Sequence, residues 1–538
     1  MSHNNIDISS FLNDTPQLYS SLFTTKDNSI IPVFSSGRTM ESRYYPENDA
    51  ARFVETIPSS SFYIILGIGS GIVIESLYKK HPESFFLCVE KDEKEINYLM
   101  QISVVQKLSE NAHIKFCSLE NLSSSFESLY LPSIYGGLYV VEQKSWIQEI
   151  EFLYALIQRI IKASLNNVSA DFSAQSHFGK IWQKNILNNV RTFSKISQNQ
   201  NNNLPGNDIT SKKIAAIIAA GPSLDNTISI LSKERNSYYI ISTDTAYTSL
   251  LRNNIIPDAV ISIDGQNVSH SHFIITADLT STLFVFDLCS DSSAVNHIAE
   301  KSSNIIFSVS GHPFAELIYS FYPESFIHLF SGSGTVTISA LDFAVKCGFI
   351  KIEVFGADFS YTNTKTYTKG TYLDDIFSQN TCELKTTEYN YLKLLYRTEL
   401  IDKNNGKKTT TVLESYRKSF ESYLSQNNYC FSNENDRYFI SIPAETTNIS
   451  KASFSNYNFN KNKNKLEYCK ITEKLLTLLK NNEDNHSKTT FFDLNPLDIA
   501  LLPLISWLRF YDNNNSSFQF YLKKAYKLLS RILNQNEK

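Results

Sequence analysis

The segment GADFSYTNTKTYTKG, residues 356–370, combines side chains that could act on a phosphate ester. An apolar run at residues 352–355 precedes it, a glycine makes the turn, and Asp358, Tyr361 and Tyr367 follow. In an open parallel sheet, the loops after the strands form the edge that binds ligands. Tyrosine hydroxyls at that edge could donate hydrogen bonds to a departing phosphate without adding a full positive charge. The alternative is a core strand followed by an ordinary polar loop.

Two further glycine turns follow predicted strands in the same part of the chain. In IIAAGPSLD, Gly221 ends a strand, Pro222 suits the first helical turn, and Ser223 can cap the helix or bind with its hydroxyl. We expect free backbone N–H groups at this helix start to favour an anion such as a nucleotide phosphate. In LFSGSGTV, glycines would let a ligand approach the backbone and hydroxyls would contact sugar or phosphate oxygens. This loop comprises Ser331, Gly332, Ser333, Gly334 and Thr335. Each motif is also compatible with a plain helix start.

Acidic residues follow the predicted strands at the same edge. Asp244 comes after YYIIST, Asp264 lies in SIDGQ and Asp287 follows LFVF. Aspartates that converge on one crevice could orient sugar hydroxyls or act as a base, whereas each alone is typical of a turn. We favour Asp244 and Asp264 for this role. His312 in VSGHPF also ends a strand and is a catalytic candidate, although a single histidine is more often structural.

A separate glycine cluster, LGIGSG, contains Gly67, Gly69 and Gly71 between a predicted strand and a helix. Glu90 ends the next strand, about 20 residues later, where Rossmann-type domains place the acid that binds ribose. This site could hold S-adenosylmethionine or a dinucleotide. Alternatively, the glycines only allow a tight turn from strand to helix.

The composition limits the classes of function. A chain of 538 residues is too long for one core, and its net charge of -4 gives no reason to propose nucleic acid as a partner. The seven cysteines are scattered singly, which argues against zinc sites and disulfides; Cys88, Cys289 and Cys347 are expected to be buried thiols. No secretory signal begins the sequence, and the apolar run at 499–510 is shorter than a membrane span. We therefore expect a cytoplasmic protein.

The pattern predicts an α/β fold with two Rossmann-like domains and a helical C-terminal region. The predicted parts are a tail or short leading helix at 1–30, a Rossmann-like domain at 31–170, a helical connector and linker at 171–208, a central nucleotide-sugar domain at 209–400 and a helical domain at 401–538. Strands are predicted at 62–66, 85–89, 113–117, 138–141, 214–219, 239–242, 259–263, 283–286, 305–309, 326–330 and 352–355. The last two helices, near 496–511 and 517–535, should pack as a hairpin.

With these motifs in view, the chain resembles two related groups. AAGPSL, SGSGTV and IEVFGADFSY look like the nucleotide-sugar core of bacterial CMP-sialic acid transferases. The wider match, with ESRYYPENDAARF, the glycine turn at 67–71 and WQKNILNN, resembles the motility-associated factor family over about residues 30–400. Those proteins are similar to flagellin glycosyltransferases that move nonulosonic acids such as pseudaminic or legionaminic acid. The central domain is also similar to archaeal 6-hydroxymethylpterin diphosphokinase.

The resemblance implies a glycosyltransferase that uses a CMP-activated nonulosonic acid as donor and Ser or Thr hydroxyls of flagellin as acceptor. It implies that Gly221, Pro222, Ser223 and the loop 331–335 meet the nucleotide. Tyr361 and Tyr367 have the spacing of a pair that assists the leaving phosphate. A divalent metal is not obligatory for this chemistry, and a homo-oligomer is compatible with it.

Two departures from the transferase pattern matter. The sequence reads DFSY where those enzymes place the tyrosine directly after the phenylalanine, and no histidine occurs between His328 and His486 to serve as their general base. A carboxylate such as Asp264 could replace that histidine, and Asp358 is a further catalytic candidate. The alternatives are a diphosphokinase that uses ATP and Mg²⁺ and a non-enzymatic flagellar assembly factor.

Overall fold

The computed structural model describes residues 16–196, 209–210, 213–274, 279–332, 334–362, 365–379, 381–403, 406–443, 467–482, 494–512 and 516–535. The chain forms two compact units, divided between Gly179 and Lys180 and again between Thr477 and Leu478. We call residues 180–477 the central unit and the remainder the flanking unit. The predicted linker at 197–208 and the predicted binding residue Ser333 lie outside the described residues.

The elements follow in chain order. Up to the first division they are β1 (Tyr19–Thr24), β2 (Ile30–Phe34), α1 (Pro46–Glu55), β3 (Phe62–Leu66), α2 (Ile72–Lys80), β4 (Phe85–Glu90), α3 (Glu93–Leu99), α4 (Ser103–Ser109), β5 (Ile114–Ser118), α5 (Leu122–Leu129), β6 (Leu138–Glu142), α6 (Lys144–Glu149) and α7 (Glu151–Ile196), which continues past it.

The next elements are β7 (Ile214–Ile218), α8 (Leu224–Lys233), β8 (Tyr238–Thr243), α9 (Asp244–Arg252), β9 (Ala259–Ser262), a 3-10 helix (Asn267–His272), β10 (Leu283–Asp287), α10 (Ser292–Ala299), β11 (Ile305–Val309), α11 (Pro313–Phe321), β12 (Ile327–His328), α12 (Val336–Cys347) and β13 (Lys351–Phe355). The remaining elements are β14 (Tyr361–Thr362), α13 (Tyr372–Gln379), α14 (Thr387–Leu395), β15 (Ile401–Asp402), β16 (Lys407–Thr409), α15 (Thr411–Gln426), β17 (Cys430–Glu434), β18 (Arg437–Ser441), α16 (Tyr468–Asn482), α17 (Pro496–Ala500), α18 (Leu502–Tyr511) and α19 (Phe518–Gln535).

The flanking unit contains a four-stranded sheet in the order β5-β4-β3-β6, in which every neighbouring pair is parallel. Strands β3 and β4, FYIIL and FFLCVE, are buried at every position. Continuous apolar strands are typical of a parallel sheet that helices cover on both faces. Helices α18 and α19 pack against each other, as predicted for the last two helices.

The central unit is built on a nine-stranded sheet in the order β12-β11-β10-β9-β8-β7-β13-β18-β17. Strands β7 to β13 are parallel, and β18 and β17 add an antiparallel edge next to β13. The chain runs outward from β7 to β12 and then crosses back to place β13 on the other side of β7. The order of strands therefore reverses between β7 and β13, and ligands bind at such switch points in open α/β sheets.

The two α/β sheets and the helical C-terminal region confirm the predicted fold class. Buried Cys88, Cys289 and Cys347 are also as expected. Two predicted boundaries are wrong. Residues 19–30 are not all a tail, because Tyr19–Thr24 pairs with Ile30–Phe34. The sheet of the central unit does not end near residue 400, because β18 pairs with β13.

Candidate functional site

The loops after β7 and β13 meet at the switch point of the sheet in the central unit. The Gly221 N–H donates to the Gly356 carbonyl oxygen at 2.8 Å. Gly356 has φ +68, and a Cβ there would overlap the carbonyl oxygen of Ala219. A glycine is therefore required where these two loops cross, both for the conformation and for the close approach.

The helix start after β7 is not the free anion site that the sequence predicts. Asp358 accepts from the Ser223 N–H at 2.7 Å and also from the Ser223 hydroxyl. Pro222 has no N–H, and the next N–H group, of Leu224, donates to the Gly221 carbonyl. The carboxylate of Asp358 thus stands where a phosphate was expected, and burial raises its pKa to about 6. The two predicted residues Ser223 and Asp358 bind each other.

Asp225, which the sequence analysis missed, fixes the tyrosine-bearing loop to the first turn of α8. Its carboxylate accepts from the Thr368 hydroxyl at 2.5 Å, from the Lys369 N–H at 2.9 Å and from Lys365 Nζ at 3.1 Å. Burial opposes ionisation, but these hydrogen bonds together lower the pKa of Asp225. An acid in the first helical turn after a glycine turn was the signal that could have identified it. The clamp holds neighbouring Tyr367 at the carboxyl edge.

Tyr361 and Tyr367 lie close enough to each other to interact electrostatically. Tyr367 keeps 37% of its surface exposed, and Tyr361 is half-buried. Burial of the hydroxyl among protein atoms raises the pKa of Tyr367 to about 12, and burial also raises the pKa of Tyr361. Both hydroxyls therefore keep their protons at neutral pH and can donate hydrogen bonds.

The two favoured aspartates follow the carboxyl ends of the neighbouring strands β8 and β9. Asp244 is buried and accepts from the Ser262 hydroxyl at 2.8 Å and from the Thr245 N–H at 2.7 Å. Asp264 is half-buried and accepts from the Gln266 N–H at 2.9 Å. Burial and then the charge of Asp244 raise the pKa of Asp264, which increases the affinity of its carboxylate for a proton.

Three further side chains belong to this group and were missed. The charges of Asp264 and Asp244 raise the pKa of Tyr372 beyond the effect of its burial, and Asp264 does the same to Tyr416 on α15. His272 is buried and packs edge-on against Tyr372, with ring centroids 4.4 Å apart. Tyr372 comes two residues after the segment 356–370 that the sequence singled out, so its position was a usable signal. The sequence around Tyr416 and around His272 contained no such signal.

The Ser331–Thr335 loop leads from the edge strand β12 into α12, which packs on β7, β8 and β9. Asp342 on α12 holds the loop by accepting from the Phe330 N–H at 2.7 Å. A Cβ at Gly332 would lie 2.7 Å from Ile338 Cδ1, so the glycine serves close packing there. The amino end of α12 reaches the carboxyl edge above the central strands. Gly334 and Thr335 stand at that end.

His312 and Asp287 have structural partners. His312 Nδ1 accepts from the Phe314 N–H at 3.2 Å and so caps α11, and burial lowers its pKa to about 4. Its ring packs edge-on against Trp182. Asp287 accepts from the Cys289 N–H at 2.8 Å. His312 follows β11, three strands from β8 and hence roughly 14 Å from Asp244 at the usual strand spacing.

The predicted ligand site of the flanking unit is filled by the chain itself. Glu90 ends β4 as expected, but its carboxylate accepts from Trp146 Nε1 at 2.6 Å, from the Tyr19 hydroxyl at 3.1 Å and from the Ile68 N–H at 3.1 Å. The Lys91 N–H donates to it at 2.9 Å. Both carboxylate oxygens of Glu90 therefore accept hydrogen bonds from the protein, at the position where the sequence suggested that a ribose could bind.

The glycine turn beside Glu90 is covered as well. Glu41 Oε1 accepts from the Ser70 N–H and hydroxyl, both at 2.8 Å. A Cβ at Gly69 would lie 2.5 Å from that oxygen, and one at Gly67 would lie 2.7 Å from the Trp146 ring. Gly71 faces Leu108. The glycines therefore make room for the protein's own side chains at this turn from strand to helix.

A cavity of about 340 Å³ lies at the opposite edge of the sheet in the central unit, near the amino ends of β8 and β9. Arg235, which lines it, pairs with Asp258 at 3.0 Å. The cavity is therefore separate from the residues grouped above. Within the described ranges, no cluster of three metal-ligating side chains occurs. Nor does a helix among the described residues have the length and apolarity to cross a membrane.

Comparisons with known proteins agree with this architecture. Residues 184–364 match the family described as 6-hydroxymethylpterin diphosphokinase MptE-like. Three uncharacterized proteins of Treponema pallidum (strain Nichols) are related: one is 32% identical over 153 residues, one 34% over 140 and one 23% over 373. These matches span 28%, 26% and 68% of this chain and 70%, 49% and 63% of the relatives.

The solved structure of MAf glycosyltransferase from Magnetospirillum magneticum AMB-1 has a similar fold. The alignment covers 98% of this chain and 88% of that one, with a TM-score of 0.52 and 11% identity. Together with the MptE-like match, this likeness supports the predicted resemblance to the motility-associated factor family with an MptE-like central domain. The MptE-like match ends at residue 364, so it includes Gly221, Asp264 and Tyr361 and stops before Tyr367.

Proposed function

We propose that the protein is a glycosyltransferase that moves a nonulosonic acid from a CMP-activated donor to Ser or Thr hydroxyls of flagellin. The observation that best supports the proposal is the grouping of Tyr361, Tyr367, Asp244 and Asp264 at the carboxyl edge of the sheet. The likeness in fold to MAf glycosyltransferase also supports it. The reaction would take place in the cytoplasm, and the protein could act as a homo-oligomer.

The proposed reaction is a direct displacement at the anomeric carbon. The acceptor oxygen bonds to that carbon as the bond from carbon to phosphate oxygen breaks, and the electron pair leaves with CMP. Negative charge then grows on the phosphate, where the protonated hydroxyls of Tyr361 and Tyr367 would donate hydrogen bonds. Stabilisation of this kind acts mainly in the transition state and therefore raises turnover.

The proton of the acceptor hydroxyl needs a base, and Asp264 is our candidate. The raised pKa of its carboxyl gives Asp264 a greater affinity for a proton than an ordinary aspartate has. Asp244, held by Ser262 and Thr245, would maintain that pKa through its charge. Ser223 and Asp358, by contrast, would shape the loops from within, because they are bound to each other.

A second candidate function is a diphosphokinase, which the MptE-like match favours. The two enzymes differ in their ligands, since a kinase needs ATP with Mg²⁺ and the transferase needs a CMP ester. Thermal-shift titration separates them. Stabilisation by CMP or CDP supports the transferase, stabilisation only by ATP with Mg²⁺ supports the kinase, and no response supports a non-enzymatic assembly factor.

Intact mass spectrometry of flagellin tests the acceptor. We expect flagellin from cells that lack this protein to lose the mass of its nonulosonic acid residues, and the wild-type protein to restore it. A variant with Asp264→Asn should fail to restore it while still responding to CMP. Unchanged flagellin mass in the deletion strain would refute the acceptor assignment.

A further inference from the structure

A small second sheet ties a distant segment of the chain to the tyrosine pair. Strands β14, β16 and β15 pair in that order, with Tyr361 opposite Lys408 and Ile401 opposite Thr409. The Thr409 hydroxyl donates to the Phe359 carbonyl at 2.9 Å, which anchors this sheet to the loop after β13. The segment between α14 and β15 is therefore tied to the strand of Tyr361 through β16. Arg397 lies in that segment.

Arg397 carries its charge close to both tyrosine hydroxyls. Burial raises the pKa of Tyr361 and of Tyr367, and the positive charge of Arg397 partly offsets both effects. Its residue is exposed to solvent, and buried Leu395 two positions earlier anchors the end of α14. Arg397 is therefore both near enough to act on the tyrosine pair and accessible to a ligand from solvent.

The neighbouring cations differ from Arg397 in one respect. Lys403 pairs with Glu414 at 3.0 Å, Lys408 with Asp402 at 2.8 Å, and Lys407 with Asp436. In the part of the chain that the structure describes, Arg397 forms no salt bridge. Its charge is therefore available to a ligand, whereas the charges of the three lysines are already balanced.

We propose that Arg397 binds the phosphate of the nucleotide between the two tyrosine hydroxyls. This inference rests on the proposed function, which supplies the CMP ester. A guanidinium presents a planar fork of donors that fits two phosphate oxygens, and it stays charged at any physiological pH. The fixed positive charge of Arg397 and the two neutral hydroxyls would thus together stabilise the negative charge that grows on the departing phosphate. The same residue would distinguish nucleotides from nucleosides.

Calorimetric titration with CMP and with cytidine tests this role, because only CMP carries the phosphate. We expect wild-type protein to bind CMP more tightly than cytidine. Arg397→Gln should weaken CMP binding about tenfold or more while leaving cytidine affinity unchanged, as expected for the loss of a charged hydrogen bond. Arg397→Lys should retain part of the preference. Lys408→Gln, which removes an equal but paired charge from the same small sheet, is the control and should bind both ligands like the wild type.

The outcomes separate this inference from the function on which it rests. If Arg397→Gln keeps the wild-type ratio of CMP to cytidine affinity, the phosphate role is wrong although the transferase proposal survives. If Lys408→Gln loses as much CMP affinity as Arg397→Gln, the effect is one of general charge and the specific role is wrong. If wild-type protein binds neither ligand, the proposed donor and this inference both fall.

Discussion

Replacing Glu41 by glutamine should make the flanking unit more resistant to rising pH. The Glu41 carboxyl is held on the Ser70 N–H and hydroxyl, and its other oxygen, Oε2, is buried without a hydrogen-bond partner among the described residues. Burial raises its pKa from 4.5 to about 7. The folded protein therefore prefers the protonated, uncharged acid. Glutamine resembles that form in shape and is likewise uncharged.

The sign follows from the direction of that change. A carboxyl whose pKa is higher in the folded state stabilises the fold fully below pH 4.5, and this contribution is lost as pH rises through about 7. Between pH 5 and pH 8 the loss from Glu41 amounts to about 2–3 kcal/mol, at about 1.4 kcal/mol for each pH unit. Burial also raises the pKa of Glu90 to about 7. Glu90 therefore contributes its own fall in the free energy of unfolding, equally in the wild type and in Glu41→Gln.

Urea unfolding at pH 5 and at pH 8, followed by tryptophan fluorescence, measures the effect, since Trp146 is buried against the glycine turn of this unit. The fall in the free energy of unfolding between the two pH values should be smaller in Glu41→Gln than in wild type by about 2–3 kcal/mol. Glu55→Gln, at an exposed carboxyl paired with Lys80, is the matched control and should behave like wild type. An equal fall in Glu41→Gln and wild type would refute the reasoning.

Three other predictions concern the central unit. Gly356→Ala should destabilise the protein by about 2 kcal/mol or more in urea unfolding, because the new Cβ overlaps the backbone of Ala219 and the residue has a positive φ. Gly311→Ala is the control: Gly311 also has a positive φ but has open space around it, so this variant measures the backbone strain alone. Tyr361→Phe and Tyr367→Phe should each lower transfer to flagellin by about 10-fold to 100-fold with CMP affinity nearly unchanged; weaker CMP binding with normal turnover would contradict this. His312→Ala should lower the free energy of unfolding by about 1 kcal/mol because a helix cap is lost. Turnover should stay unaltered, and a large loss of turnover would instead indicate a catalytic role for His312.

The sequence predicted the parallel strands well because each is a short, continuous apolar run bounded by turn residues. Strands β3 and β11 have the predicted bounds, and β13 differs by one residue. The hairpin of β1 and β2 escaped notice because its first strand, YSSLFT, is mostly polar and exposed. Strand β17 is exposed throughout and gave no apolar signal either.

The site was harder to predict than the sheet. Sequence motifs locate loops at the correct edge, but they do not show whether a polar group is already bound within the protein. Ser223 and Asp358 were expected to face a ligand and instead bind each other across 135 residues of sequence. Tyr416 comes near Asp264, and Arg397 comes near the tyrosine pair, only because segments far apart in the sequence meet in the fold. Such long-range complementarity cannot be inferred from local pattern.

The clamp between Asp225 and Thr368 joins residues 143 positions apart. Contacts of such separation form late, because a long stretch of chain must be ordered before they can close. During synthesis, β13 also emerges well after β7, with which it pairs. In a newly made chain, strands β7 to β12 are therefore complete before Tyr361 and Tyr367 can be fixed in place, so any activity that needs both tyrosines has to wait for this late contact.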